Sequence, residues 1–158
     1  MRSVTRDDNY FEDFRVGDVL VHPRGRTLGE SEHMMLTNFV LNTAELHFNQ
    51  ALVQKQPDVY FGGKRVVYGG IVLAFCVGLA SEETSENAIC DLAYDNGRHT
   101  APVFAGDTLY AESTVLETRP SDRPDAGIVK FKLVGKNQHG EQVLEIEREV
   151  LVKRRSVS

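Results

Sequence analysis

The hydrophobic period changes twice along the chain, and the changes divide it into readable parts. Gly17-Asp18 is a turn signal, and residues 19–27 after it read as extended. Met34, Leu36, Phe39, Val40 and Leu41 then follow Ser31, Glu32 and His33, which predicts a helix beginning near Ser31 and stopping around Asn42-Thr43. Residues 43–65 keep no period, and Pro57 with the Gly62-Gly63 pair breaks them, so an irregular segment is expected. Within 68–82, Ile71, Val72, Leu73, Ala74, Phe75, Cys76, Val77, Leu79 and Ala80 are apolar on every side. That segment is too long for a strand and predicts a helix buried all round. From residue 88 the period is two. Strands are expected over 88–96, 108–118, 128–137 and 142–153, with turns at Gly106-Asp107, over 119–127 and at Gln138-His139-Gly140. In the last strand Leu144, Ile146, Arg148, Val150 and Val152 share one face.

One buried helix followed by an antiparallel meander predicts an α+β fold, a sheet wrapped around a long central helix. A small sheet curled round one helix leaves a face and edges uncovered, so a homodimer is expected. No repeat or linker divides the 158 residues, which read as one domain. A hydrophobic content of 41% with 26% charged residues excludes disorder, and a net charge of −5 gives no sign of a nucleic-acid partner. The longest charge-free run, residues 66–81, is sixteen residues. A bilayer needs about 20, and the N-terminus has no apolar signal core, so a soluble cytoplasmic protein with no membrane partner is expected. Cys76 and Cys90 read as a reduced pair of small apolar residues, and the Lys153-Arg154-Arg155-Ser156 tail as a solvated end.

Candidate chemistry is sparse. The common nucleophile, nucleotide and zinc motifs are missing, and the five histidines, at 22, 33, 47, 99 and 139, show no i,i+4 pair, so neither a metal nor a cofactor is expected. Two features remain. In Asn42-Thr43-Ala44-Glu45-Leu46-His47-Phe48-Asn49 a histidine lies on an irregular segment, where catalytic groups concentrate, and imidazole suits proton transfer near neutrality. A histidine packed for structure or simply exposed would look the same. Tyr68-Gly69-Gly70 opens the buried helix, where free N–H groups favour negative charge and glycines admit a ligand close to the backbone. Close packing of helix on sheet would use the same glycines.

These residues resemble a family, the MaoC-like dehydratases or (R)-specific enoyl-CoA hydratases of the hot-dog fold. Tyr10-Phe11-Glu12-Asp13-Phe14-Arg15-Val16-Gly17-Asp18 resembles the family's opening, and Ala101-Pro102-Val103-Phe104-Ala105-Gly106-Asp107-Thr108-Leu109 its strand entry. Asn42 to Asn49 resembles its hydratase motif, and Tyr68-Gly69-Gly70 sits where the family often has His-Gly-Met. The likeness spans about residues 9–153 and is nearest to the branch acting on C4–C5 dicarboxylyl-CoA esters such as mesaconyl-CoA or 2-methylmalyl-CoA. It implies reversible hydration of an enoyl-CoA to a 3-hydroxyacyl-CoA, with CoA as part of the substrate and no cofactor. His47 is then the base, Asn42 the water-orienting residue, and the Gly69 N–H the thioester carbonyl's donor. Tyr68, Gly70, Glu45 and Arg65 join the substrate site, and Lys64 and Arg98 are further candidates for phosphates or a carboxylate. The sequence departs from the motif at Asn42, where the family has Asp. An amide is no base; either His47 acts alone, or Glu45 supplies the carboxylate, or the chain only binds acyl-CoA. A thioesterase is a further alternative, though residues 68–81 offer no carboxylate.

Overall fold

The computed structural model describes residues 9–155. In chain order these form β1 (Val19–Thr27), α1 (Glu30–Phe39), α2 (Gln50–Lys55), α3 (Gly69–Thr84), β2 (Ala88–His99), β3 (Thr108–Pro120), β4 (Ala126–Lys136) and β5 (Gln142–Lys153). Short 3-10 turns occupy Phe11–Asp13, Glu45–His47 and Phe61–Gly63. The five strands make one antiparallel sheet in the order β1-β3-β4-β5-β2. The predicted α+β layout of a sheet around a central helix is what is found.

Three expectations about the order and bounds of the elements change. The strands are not a simple meander, because β2 pairs with β5 rather than β3. β3 is already paired on both sides, by β1 and β4, and α3 carries the chain across the sheet to the far edge, where β5 is open. α1 ends at Phe39, short of Asn42, because Leu41 turns into the left-handed region at φ 55°. The segment predicted to be irregular holds α2, started by the Asn49 side chain, which accepts from the Leu52 N–H at 3.0 Å.

The core lies between α3 and the concave face of the sheet. Ile71, Val72, Cys76, Leu79 and Ala80 of α3 pack with Leu109, Ala111, Leu133, Leu144 and Ile146 of the strands. Full burial of each such aliphatic side chain contributes roughly 1.5–3 kcal/mol. A second cluster, Phe14, Val115, Val129, Phe131, Val150 and Val152, fills the other end. α3 is not buried all round: Ala74 and Gly78 are exposed and Leu73, Phe75 and Val77 half-buried. Its apolar excess faces outward on one side of this chain, as does β2, whose residues are nearly all exposed. Cys76 is buried, which pushes its thiol up to about 12, whereas Cys90 on β2 is exposed and both are free.

Near the C-terminal end of α3 the buried Glu83 carboxylate accepts from His22 Nδ1 at 2.7 Å, and His22 Nε2 meets the Ser113 hydroxyl at 2.9 Å. Buried Arg148 donates to Thr84, Ser85 and Asp91 beside them. The basic tail is not a solvated end. Arg154 pairs with Glu12 at 3.0 Å and Arg155 with Asp13 at 2.6 Å, and their guanidinium groups lie over the Phe11 and Tyr10 rings. Ser156 and residues 1–8 lie outside the described residues.

Removing His22 strands a buried carboxylate, so His22→Ala is expected to lower unfolding free energy by about 3–5 kcal/mol in urea titrations. Burial holds His22 and His33 of α1 below the ordinary imidazole value of 6.5. A folded-state pKa depressed below the unfolded one gives stability that is fully present above the unfolded value and lost as pH falls from there through the folded value. The urea midpoint should therefore drop between about pH 7 and pH 5.

Candidate active site

His47 ends the 3-10 turn Glu45–His47 and is buried to 9% exposure. Its Nδ1 lies 2.8 Å from the carbonyl oxygen of Val66, three residues before α3. A carbonyl only accepts, so Nδ1 carries a proton, and in the neutral form of the ring the lone pair is on Nε2. Nε2 has no hydrogen-bond partner among the described residues and is not sealed from solvent. The Tyr68 ring stands edge-on to the imidazole, centroids 5.6 Å apart. The backbone carbonyl of His47 accepts in turn from His33 Nε2 at 2.7 Å.

Tyr68 is the N-cap of α3 but makes no capping hydrogen bond. The N–H groups of Gly69 and Gly70 have no acceptor among the described residues, so the positive end of the α3 dipole is left open. Glycine leaves room at both positions for a neighbouring ring. A Cβ on Gly69 would collide with the His99 ring, and one on Gly70 with the Tyr68 ring. Two concavities flank this helix start. One of about 330 Å³ is lined by Gly69, Val66, Val67, Val72, Phe61 and residues 99–103. The other, about 290 Å³ and mostly apolar, runs between Leu36 of α1 with the following Val40 and Tyr68, Gly70, Ile71, Ala74 and Phe75.

The remaining predicted residues are differently placed. Asn42 Oδ1 accepts from the Ala44 N–H at 2.8 Å, which leaves its amide N–H groups for a ligand. Glu45 is exposed and accepts from the Asn49 side chain at 2.8 Å, so it is engaged at the start of α2 and has no bond to His47. Arg65 is a brace. It donates to Gln50 at 3.0 Å, pairs with Glu30 and touches Met34, tying α1 to α2. Lys64 lies over the Phe104 ring, and Arg98 pairs with Glu145 at 3.3 Å on the outer sheet face. The structure therefore brings His47, Tyr68, Gly69 and Gly70 together. It adds His33 and His99, which no local pattern singled out, because both reach the site across the fold. Among the described residues no cluster of His, Cys, Asp and Glu is arranged to hold a metal ion.

The chain matches the family model of mesaconyl-CoA hydratases over residues 2–154. It is 38% identical over 128 residues to the beta-methylmalyl-CoA dehydratase of Chloroflexus aurantiacus, covering 80% of this chain and 35% of that protein. Among solved structures it superposes on a MaoC domain protein of Chloroflexus aurantiacus with a TM-score of 0.87 and 31% identity, over 97% of this chain and 46% of the other. A conserved Mycobacterium tuberculosis protein with a double hotdog fold matches with a TM-score of 0.81 at 20% identity, over 94% of this chain and 45% of the other, and shares the fold. The chain spans less than half the length of the first of the curated relatives it matches.

If Arg65 braces the helices rather than waiting for a ligand, Arg65→Ala should lower unfolding free energy by about 1–2 kcal/mol. A guanidinium held free for an anion would leave the denaturation midpoint unmoved.

Proposed function

We propose, for a chain that belongs to the mesaconyl-CoA hydratase family, that it adds water reversibly to an enoyl-CoA thioester of the branched C4–C5 dicarboxylyl type. The observation that carries the reading is the His47 tautomer. An imidazole whose Nδ1–H is spent on Val66 presents Nε2 as a base, beside a helix start whose first N–H groups are unused. The thioester carbonyl would lie against the Gly69 N–H with the acyl group in the apolar groove between α1 and α3. His47 Nε2 takes a proton from water as its oxygen bonds to Cβ. The electron pair moves to the thioester oxygen, where the Gly69 N–H and the helix dipole stabilise the enolate, and Cα then takes the proton that His47 removed, which returns the imidazole to its starting form. Reversal expels water from the 3-hydroxyacyl-CoA. CoA is the substrate's own handle, and the sequence calls for no further cofactor.

Asn42 serves this scheme as a donor. With its oxygen bound to Ala44, the amide N–H can hold the water's oxygen but can take no proton. Tyr68 and Gly70 shape the acyl groove, Glu45 steadies the loop through Asn49, and Arg65 steadies α1 against α2. The long exposed β2 edge, carrying Ile89, Leu92 and Tyr94, and the open side of α3 fit a second hot-dog unit, which we assign to a homodimer. No helix among the described residues is long and apolar enough to cross a membrane, and exposed free Cys90 suits the reducing cytoplasm in which we place the protein.

The test is loss of the conjugated thioester absorbance of mesaconyl-CoA and crotonyl-CoA. Hydration by the wild type, reduced at least about a hundredfold in His47→Ala, is expected. Asn42→Ala should lose less than His47→Ala, because it removes a positioning donor and leaves the base. Tight CoA-ester binding with no turnover would instead assign the chain as a binder.

A further inference from the structure

We propose that His33 is the positioning residue of His47, an inference that rests on the hydratase reading above. His33 lies on α1 with no exposed surface, and its Nε2 is 2.7 Å from the His47 carbonyl oxygen. Since that oxygen can only accept, His33 donates from Nε2. Its Nδ1 is then a lone pair without a partner in the described structure. A buried polar atom left in this way is unfavourable, and the tautomer that leaves it there is retained because the other nitrogen serves the loop.

The His47 carbonyl stands at the end of a one-turn 3-10 segment, where backbone acceptors have no helical partner of their own. His33 supplies that partner. His47 is thus fixed at two points, its main chain by His33 and its ring by Val66. The first bond sets where the Cα lies and the second which way the imidazole turns; together they aim Nε2. α1 is a firm base for this. The Thr37 hydroxyl donates to the His33 carbonyl at 2.7 Å, and Arg65 grips Glu30 and Met34 on either side of His33. Burial also keeps His33 neutral, and a neutral imidazole with Nε2 protonated is the form this bond uses. His33 approaches no reacting atom in the proposed chemistry, and its influence passes through His47 alone.

The experiment combines nitrogen-detected imidazole spectra of labelled protein with steady-state kinetics on the enoyl-CoA, for wild type, His33→Gln and His33→Leu. The wild-type spectrum should show His33 as the Nε2–H form and His47 as the Nδ1–H form. His33→Leu should mix the His47 tautomers and lower kcat about 10- to 100-fold, with KM within about twofold. His33→Gln, whose amide N–H can reach the same carbonyl, should recover most of both. A wild-type His33 protonated on Nδ1 overturns the proposal, and this holds even if the leucine variant fails to fold. So does a His33→Leu protein with unchanged His47 tautomer and unchanged kcat, or a His33→Gln protein as impaired as His33→Leu. The spectra decide separately from turnover. An inactive wild type whose His47 tautomer still depends on His33 removes the hydratase reading and leaves the positioning in place.

Discussion

Everything in this molecule follows from the need to bury α3. A sixteen-residue helix with no charge before Glu82 cannot stand in water, and only a sheet curled about it can cover most of its surface. That demand shapes both of its ends. At the C-terminal end Glu83 is carried into the core, where its carboxylate is tolerated only because His22 reaches it from β1. At the N-terminal end no side chain caps the helix, and two glycines keep its first N–H groups accessible. The element that makes the fold is also the one that makes the site.

The site is assembled from pieces of little meaning alone. The turn bearing His47 is three residues long and is held by contacts to α1 and to the strand-like residue Val66, itself bridged to Phe104. The His47 imidazole is held by hydrogen bonds that involve backbone carbonyls rather than by a carboxylate partner. Each of the two imidazoles in this chain of contacts donates one ring N–H to a backbone carbonyl, His33 to His47 and His47 to Val66.

The order of apolar positions made α3 and β5 legible in the sequence almost to the residue, because burial writes itself into that order, and the turn at Gly17-Asp18 marked the start of β1. The pairing of β2 with β5 was not legible, since the choice depends on which edge remains free after β1, β3 and β4 have paired. α2 carried a readable sign in Asn49 ahead of Gln50, masked by the surrounding breakers. His47 and the Tyr68-Gly69-Gly70 start stood out by position. His33 looked like an ordinary early-helix residue, and His99 the end of a strand; their proximity to the site is a product of tertiary packing. The engagement of Asn42 with Ala44 and of Glu45 with Asn49 was equally hidden, because side-chain partners within one loop depend on its backbone path.

The contacts of Arg154 and Arg155 with Glu12, Asp13 and the rings of Phe11 and Tyr10 bring the first and last described segments to one corner. Topologically the unit is close to a ring. Which element comes first along the chain then matters little to how the elements pack, and the same sheet and helix could be threaded from a new starting point, with residues 9 and 155 joined by a short loop and the break moved to the exposed turn after β3.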